Sequence, residues 1–218
     1  MHTFQNIYFQ ITQPNLKLGD LRVIAKEIKK DHNLALELWN SQYFKARLLA
    51  ILIMDAKEIT LKGIEKWVED VMIHSYEEQL QLIDWLLANQ LSKNKKLVSL
   101  MLTWETHSNA LLRRTFWYHQ GRLRWVGQIP PKNTEELLLS IEKNIINEVP
   151  EVQWAMNFTT AQIGIFDERY RSRCIAIGET TGLYKDEKVA KKCTPNYLPL
   201  YIQMQVDKLF RTNKEKAD

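Results

Sequence analysis

Hydrophobic positions recur along nearly the whole chain with the spacing of an α-helix. The segment LRVIAKEIKK places Leu21, Ile24 and Ile28 on one stripe, and IEKWVEDVMI repeats its apolar residues at helical intervals. The segment ARLLAILIMDA is apolar almost all round, which is typical of a helix buried on every side. Alternating strand patterns and Asn-Gly or Asp-Gly hairpin signals are lacking. The pattern predicts an all-α protein of ten or so helices.

Several helix boundaries are predicted from local residue types. Four serines stand near helix starts, where their side chains favour capping: Ser41, Ser75, Ser92 and Ser108. The pair Pro130-Pro131 separates two helices. The segment VQWAMNFTTAQIGIF is predicted to end with Gly164 near its C-cap, and ERYRSRCIAIGETTGL is predicted to close at Gly182.

The apolar helices are spaced irregularly but at similar intervals. Their starts fall near Tyr43, Tyr76, Ser108 and Pro150, in steps of 33, 32 and 42 residues. Such spacing favours stacked helical pairs of the HEAT or armadillo kind over a four-helix bundle. We therefore expect one α-helical repeat domain over residues 1–218, a solenoid with a concave wall. A solenoid capped at both ends is expected to be monomeric.

Composition places the chain among soluble globular proteins, with 45% hydrophobic and 26% charged residues. The two cysteines, Cys174 and Cys193, indicate free thiols in a reducing compartment. No apolar run is long enough to span a membrane, and the first residues lack the layout of a signal peptide. The five histidines have no metal-ligand spacing. We expect a cytoplasmic protein with no metal site and no membrane association.

Positive charge is unevenly distributed along the chain, although the net charge is only +4. Residues 91–130 contain seven basic side chains and one acidic side chain, and residues 166–218 contain eleven basic and eight acidic ones. A fold that brings these segments together would create a basic face suited to phosphate groups, and the candidates are Arg113, Arg114, Arg171 and Arg173. A solvated helix face without a ligand is the alternative.

The segment NALLRRTFWYHQGRLRW divides by face when it is drawn as a helix. Leu112 and Phe116 lie one turn apart and are suited to the core. Arg114, Tyr118 and Trp125, with Arg122 beside them, form a stripe that is both basic and aromatic. This mixture is suited to a polyanion, but arginines also form surface salt bridges and tryptophans are often core residues.

Four segments together resemble a known family. The segments are residues 18–53, QLIDWLLA (81–88), ALLRRTFWYHQ (110–120) and CTPNYLPLYI (193–202). They are similar to the DNA alkylation repair family, the AlkD-like proteins. The resemblance implies HEAT-like repeats whose concave face holds duplex DNA. It also implies that active members excise cationic N3- or N7-alkylated purines without a metal or cofactor.

The catalytic residues of the family map onto this sequence only in part. The resemblance implies that Asp84 is the carboxylate and Arg114 the arginine. Active members place a tryptophan where this chain has Leu80, and the second tryptophan falls near Phe158, one turn after Trp154. A carboxylate at Asp84 would stabilise the cationic sugar and orient water, while Arg114 would hold a backbone phosphate.

Three hypotheses of function follow from this partial match. The leading hypothesis is a DNA glycosylase for alkylated purines, and the alternatives are a catalytically silent paralogue that binds damaged or structured DNA and a scaffold for another protein. The lost ring at Leu80 favours the second hypothesis, because an aromatic face stabilises a cation by roughly 0.5–2 kcal/mol. Without the resemblance, Asp84 could cap a helix or pair with an arginine. The expected partner is double-stranded DNA, so the protein would associate with the nucleoid.

Overall fold

The structure, a computed structural model, describes residues 3–125, 129–191 and 193–215 of the chain. Those residues contain no strand, which confirms the all-α prediction. Twelve α-helices are present among them, two more than the sequence pattern indicated: α1 Phe4–Ile11, α2 Leu18–Ile28, α3 His32–Asn40, α4 Phe44–Ile53, α5 Leu61–Asp70, α6 Tyr76–Asn89, α7 Lys95–Met101, α8 Ala110–Arg122, α9 Thr134–Asn144, α10 Pro150–Phe166, α11 Glu168–Thr181 and α12 Leu198–Glu215. Single 3₁₀ turns follow α5, α6 and α9.

Helix ends agree with the expected capping chemistry at some positions and not at others. Ser75 caps α6 in a capping box with Glu78, and Gly182 ends α11 with a left-handed φ of 62°. Ser41 lies three residues before the start of α4, but it is the C-cap of α3 and does not cap α4. The prediction for Gly164 was wrong: α10 continues to Phe166, and Gly164 lies inside it.

The other two serines lie close to helix starts without capping them. Ser92 lies within a 3₁₀ turn. Ser108 precedes Asn109, whose side chain accepts hydrogen bonds from the backbone N–H groups of Leu111 and Leu112 and so caps α8. An asparagine oxygen performs the same capping as a serine oxygen. Pro130-Pro131 lies between α8 and α9, as expected.

The chain forms two compact units, residues 1–104 and residues 105–218. In the first unit, α4 packs against α2, α3 and α6. Its side chains are buried on every face, because its sequence is apolar almost all round. The prediction of a fully buried helix at this position is confirmed.

One polar group in the core of the first unit is satisfied entirely by neighbouring helices. Arg47 of α4 donates from Nε to the carbonyl oxygen of Trp39 at 3.2 Å and from Nη1 to that of Asp70 at 2.6 Å. The indole of Trp39 donates in turn to the Asp70 carboxylate at 2.8 Å. Burial lowers the pKa of Arg47, although the nearby Asp70 opposes this. These bonds connect α3, α4 and the end of α5.

In the second unit, α10 takes the central position and packs against α8, α11 and α12. Gly164 allows the close approach, since a Cβ there would lie 2.8 Å from Ile202 of α12 and 3.0 Å from Cys174 of α11. The four apolar helices whose starts were predicted near residues 43, 76, 108 and 150 are α4, α6, α8 and α10. Their predicted starts are therefore confirmed to within two residues.

Candidate functional site

In the second unit, rings and arginines of α8, of the residues after it and of α10 contact one another in a group of six side chains. We call them the arginine–aromatic cluster: Arg114, Tyr118, Arg122, Trp125, Trp154 and Phe158. The first three are spaced four residues apart on α8, and Trp154 and Phe158 are four apart on α10. Because residues at i and i+4 lie on the same helix face, the packing of α8 against α10 brings the two rows together.

The rings of the cluster hold one another in defined orientations. Trp154 and Phe158 stack with centroids 5.5 Å apart and planes 11° from parallel. Tyr118 meets both edge-on, at 5.5 Å from Trp154 and 5.1 Å from Phe158. Trp125 meets Phe158 at 6.3 Å, also edge-on. Such offset and edge-on pairs are favourable beyond their buried area, so the rings form a fixed platform.

The two arginines of the cluster lie over these rings. The Arg114 guanidinium is 4.6 Å from the Trp154 ring centroid and 5.6 Å from that of Tyr118. Its Nη1 donates to the Glu151 carbonyl oxygen at 3.3 Å. Arg122 lies 5.8 Å from Tyr118 and 5.4 Å from Trp125. Stacking restricts both guanidinium planes. Arg114 is only 3% exposed and Arg122 is half-buried, so Arg122 is the more accessible of the two to an oxyanion.

Asp84 and Leu80 lie one turn apart on α6, in the first unit, and both are half-buried. Their neighbour Trp85 donates from Nε1 to the Leu48 carbonyl oxygen at 3.1 Å, which holds the indole in place. The Arg22 guanidinium of α2 lies 4.4 Å from the Trp85 ring centroid. The roles assigned to Asp84 and Leu80 stay predictions, since the arrangement of α6 alone does not test them.

Three of the predicted DNA-contacting arginines are paired within their own unit. Arg113 forms a two-bond ion pair with Glu148, at 3.0 and 2.8 Å, and also donates to the carbonyl oxygens of His107 and Ser108. Arg171 donates to the Gly164 carbonyl oxygen at 2.9 Å, near the end of α10.

Arg173 is paired more strongly still. It reaches Glu142 at 2.7 Å and Glu135 at 2.6 Å, both on α9. These hydrogen bonds raise the pKa of Arg173 and lower that of Glu142. The role of Arg113, Arg171 and Arg173 in DNA binding stays a prediction, and each would have to leave a partner on its own chain to fulfil it.

A second basic feature lies in the first unit and was missed from the sequence. Arg22, Lys26 and Lys93 line a pocket of about 280 Å³ together with Ala25, Leu52 and Asn89, and we call it the α2–α6 basic pocket. Its lining contains no acidic residue, and in the described part of the chain none of the three cations forms an ion pair. The four-residue spacing of Arg22 and Lys26 was visible in the sequence, but Lys93 is nearly seventy residues away.

Trp154 is the other functional candidate that sequence reasoning left in doubt. The family alignment placed the aromatic position near Phe158, whereas the structure stacks Trp154 and Phe158 on each other. Their spacing of four residues on one helix was the available signal.

Within the described ranges, no group of three histidine, cysteine, aspartate or glutamate side chains is placed to hold a metal ion. Cys174 and Cys193 are both free thiols, Cys174 buried and Cys193 exposed. None of the described helices is both long enough and apolar enough to cross a bilayer.

Comparison with known proteins gives consistent matches in sequence and fold. A family model described as DNA alkylation repair enzyme matches residues 8–181. The uncharacterized proteins Lmo0209 of Listeria monocytogenes serovar 1/2a and Lin0241 of Listeria innocua serovar 6a are each 24% identical over 169 residues, covering 77% of this chain and 71% of theirs.

A solved structure shares the fold. It belongs to a protein family described as related to the HEAT-like repeat DNA glycosylases, with affinity for branched DNA structures. The TM-score is 0.70 at 19% sequence identity, and the match covers 94% of this chain and 88% of the other. The prediction of a HEAT-like helical-repeat fold is therefore confirmed.

Proposed function

This chain belongs to the DNA alkylation repair enzyme family, and from that premise we propose that it binds DNA, including branched DNA, through the arginine–aromatic cluster. The observation that carries the proposal is the position of the Arg114 guanidinium, which lies over the ring of Tyr118 on α8 and over that of Trp154 on α10. The proposal covers both damaged and structured DNA, and it does not require base excision.

Arg114 is suited to a backbone phosphate for two reasons. Its planar guanidinium offers several parallel donors, which match two oxygens of one phosphate group. Its position is fixed before binding by the rings beneath it and by the bond to the Glu151 carbonyl oxygen. Contacts of this kind position DNA without reading its sequence. Arg122, on the next turn of the same face, would extend the contact along the strand.

The rings supply what branched DNA needs in addition to charge. Bases at a branch point lose a stacking partner, and an exposed aromatic face replaces it whatever the base. Trp125 is 43% exposed and lies at the edge of the cluster. The solved structure with the same fold has affinity for branched DNA, which supports the same preference in this chain.

The α2–α6 basic pocket would contribute further phosphate contacts from the first unit. Its three cations have no acid beside them to be displaced, and Arg22 is held over Trp85 at 4.4 Å. Each phosphate that a protein neutralises releases counterions, so affinity falls steeply with salt.

A second function, excision of N3- or N7-alkylated purines, is favoured by one observation. The resemblance to the family implies that Asp84 and Arg114 match the acid and the base of the active members, and that Phe158 falls near the position of one tryptophan. Asp84 would stabilise the cationic sugar as the glycosidic bond breaks and would orient the attacking water. Leu80 lacks the second ring, which predicts weaker excision than in active members.

DNA binding is tested by fluorescence anisotropy with a duplex and a four-way junction of equal length, over a range of salt concentrations. Arg114→Lys retains the charge but loses the planar fork, and about tenfold weaker binding is expected. Arg122 is more exposed than Arg114. Arg122→Gln is expected to lower by about one the slope of log affinity against log salt concentration. The matched control is Arg169→Gln, an exposed arginine of α11 that pairs with Asp167. Affinity no higher than that of an unrelated basic protein would reject the proposal and favour a protein scaffold.

The role of the basic pocket is tested with two triple variants that lose the same number of positive charges. Replacing Arg22, Lys26 and Lys93 by glutamine should lower the salt slope by about two to three, since each phosphate contact contributes about 0.9. A control variant removes Lys29, Lys57 and Lys62, which are exposed cations of the same unit outside the pocket. Equal slopes for the two triple variants would exclude a specific role for the pocket.

Excision is tested separately, by release of N7-methylguanine from alkylated DNA. Asp84→Asn is the loss variant and Leu80→Trp is the gain variant, because the latter restores the missing ring. Under the excision hypothesis, Leu80→Trp should release base faster than the wild type by about tenfold. Release by the wild type that does not exceed that of Asp84→Asn would reject excision and leave DNA binding intact.

The remaining expectations from the sequence are part of the same proposal. The protein would act as a monomer in the cytoplasm, on the nucleoid when it is bound to DNA, and as one repeat domain over residues 1–218. It would need neither a metal nor a cofactor, so binding in EDTA should equal binding in its absence.

A further inference from the structure

A cavity of the second unit lies beside the arginine–aromatic cluster. It has a volume of about 390 Å³ and is lined by α10, α12 and the residues after α8. We call it the α10–α12 pocket. Its walls include Trp125, Phe158, Phe166 and Tyr201, with Gln162 and Gln205 among them and Lys208 at the α12 side.

Four of the nine residues that line this pocket carry aromatic rings, and two of these rings are well exposed. Trp125 is 43% exposed and Phe166 is 40% exposed. Large rings left in contact with water inside a concave site are typical of ligand-binding pockets. Flat aromatic walls favour a flat ligand that stacks on them.

The polar groups of the pocket include two side-chain amides, one phenol and the ammonium group of Lys208. Burial raises the pKa of Tyr201, so the phenol stays protonated. Gln205 donates from Nε2 to Thr194 Oγ1 at 3.5 Å, and within the described residues its Oε1 accepts no hydrogen bond. Amides carry both donors and acceptors, which is the pattern found along the edge of a nucleobase.

The pocket is continuous with the proposed DNA-binding surface. Trp125 and Phe158 belong to both, and the Arg122 guanidinium lies 5.4 Å from the Trp125 ring centroid. A phosphate held by Arg122 would therefore have its own nucleotide next to the mouth of the pocket.

We propose that the α10–α12 pocket binds an unstacked nucleobase of a DNA strand whose phosphates lie on the arginine–aromatic cluster. The inference rests on the proposed DNA binding and deepens it. Bases inside an intact duplex are stacked on both sides and do not reach such a pocket. The occupant is therefore an unpaired nucleotide, of the kind found in a single-stranded arm or at a branch.

The test places 2-aminopurine at an unpaired position of a forked DNA and measures its fluorescence and the binding affinity. Entry into an aromatic pocket should quench the probe when the wild type is added. Phe166→Ala removes a wall that is not part of the cluster and should weaken binding of the fork roughly 5- to 100-fold. The loss for an intact duplex of the same length should be smaller. Gln205→Leu, which keeps the volume but removes the amide, should also weaken fork binding.

The matched control is Phe9→Ala, because Phe9 is an exposed ring of α1, 72% accessible and far from the pocket in sequence. It should change neither the quenching nor the affinity. The second control is chemical: an abasic analogue at the unpaired position keeps the phosphates and removes the base. The wild type should bind the abasic fork as weakly as Phe166→Ala binds the fork that has the base. Phe166→Ala should bind the two forks with equal affinity.

The outcomes separate the two proposals. Forked DNA that binds the wild type tightly, with no quenching and no loss on Phe166→Ala or Gln205→Leu, would overturn the nucleobase pocket and retain DNA binding. Additive losses for the abasic fork and Phe166→Ala would also overturn it, because the ring and the base would then act independently. Absence of binding to duplex and fork alike would overturn the proposed function and this inference together.

Discussion

Within the described residues, three arginines are almost completely buried, and each satisfies its charge differently. Arg47 donates to backbone carbonyl oxygens, and Arg124 donates to the Gln120 carbonyl oxygen at 2.7 Å and to side chains near the start of α9. Burial lowers the pKa of Arg124 to about 10. Arg114 is the one that stacks on the cluster rings, with Trp154 at 4.6 Å. All three donate to a backbone carbonyl oxygen, and Arg47 also lies over a ring, at 5.0 Å from Trp39; Arg114 differs in that its rings belong to the cluster.

Gly121 of α8 provides a test of the close contact that builds the cluster. A Cβ at this position would lie 2.7 Å from Phe158 Cδ1, so Gly121→Ala must displace the Phe158 ring. We expect a loss of about 1–3 kcal/mol in unfolding free energy from overpacking, which exceeds the gain in helix propensity of about 1 kcal/mol. DNA affinity should fall as well. Urea denaturation and DNA binding measure the two effects.

Gly19→Ala is the matched control for this substitution. Gly19 lies in the first turn of α2, and a Cβ there would meet nothing within 4 Å. The variant should be unchanged or more stable by about 0.5 kcal/mol. If Gly121→Ala behaved like Gly19→Ala, the packing of α8 on Phe158 would not be as close as described.

His119 predicts how the stability of the second unit depends on pH. Its side chain is buried, its two ring nitrogens make no hydrogen bond within the described residues, and burial together with the charge of Arg122 lowers its pKa from 6.5 to about 4. The unfolded chain binds this proton below pH 6.5, whereas the folded chain does not until about pH 4. Stability that is present above pH 6.5 is therefore lost as the pH falls towards 4.

When the pH falls from 7 to 5, proton uptake by this histidine in the unfolded chain should lower the free energy of unfolding by about 2 kcal/mol. His119→Phe has no proton to take up, and it leaves no hydrogen bond broken, so it should fold at pH 7 and lose correspondingly less on acidification. His119→Gln serves as a second variant in case the larger ring does not fit. Identical pH slopes in the wild type and both variants would show that His119 is not the responsible group.

At the scale of elements, hydrophobic periodicity was enough to predict the helices but not the partners of their polar residues. The apolar sequence of α4 predicted a buried helix, because a helix that is apolar on all sides has to be buried. The four-residue spacing of Arg114, Tyr118 and Arg122 predicted that these side chains share one face of α8.

Charge pairing between helices could not be predicted in this way. Arg113 lies 35 residues from Glu148, and Arg173 lies 31 residues from Glu142. Sequence periodicity describes a single helix and contains no information on which distant acid packs beside a given arginine. The α2–α6 basic pocket was missed for the same physical reason, since Lys93 joins Arg22 only after α2 and α6 have packed around α4.

The link between α9 and α11 tests how much such a pair stabilises. Arg173→Ala removes two ion pairs with Glu135 and Glu142, whose side chains are 53% and 37% exposed. Because solvent screens partly exposed pairs, we expect a loss of only about 1 kcal/mol, smaller in concentrated salt. Thermal denaturation at two salt concentrations measures it.

Arg169→Ala is the control on the same helix. Arg169 pairs with the N-cap residue Asp167 and is fully exposed, so its removal should change stability little. DNA affinity gives a second comparison, since Arg173→Ala should affect stability more than affinity. A large loss of DNA affinity with unchanged stability would instead identify Arg173 as a direct DNA contact.

At the scale of the whole molecule, the boundary between the two compact units does not have the character of a linker. It falls at Trp104, which is 1% exposed, and the next residue, Glu105, accepts a hydrogen bond from Ser140 at 2.7 Å. Domain boundaries usually fall in exposed segments rich in proline, glycine and polar residues. The residues from 101 to 110 contain neither proline nor glycine. The single repeat domain over residues 1–218 stays a prediction, and it requires the two units to unfold together.

We therefore predict that the chain unfolds in one cooperative transition, because neighbouring repeats stabilise each other in such an array. Differential scanning calorimetry should give a calorimetric enthalpy equal to the van't Hoff enthalpy. Two core substitutions make the test sharper: Ile64→Ala in the first unit and Ile141→Ala in the second, both at fully buried positions. Each is expected to remove about 2–5 kcal/mol and to shift the same single transition. Two transitions, each shifted by only the substitution in its own unit, would show that residues 1–104 and 105–218 fold as separate domains.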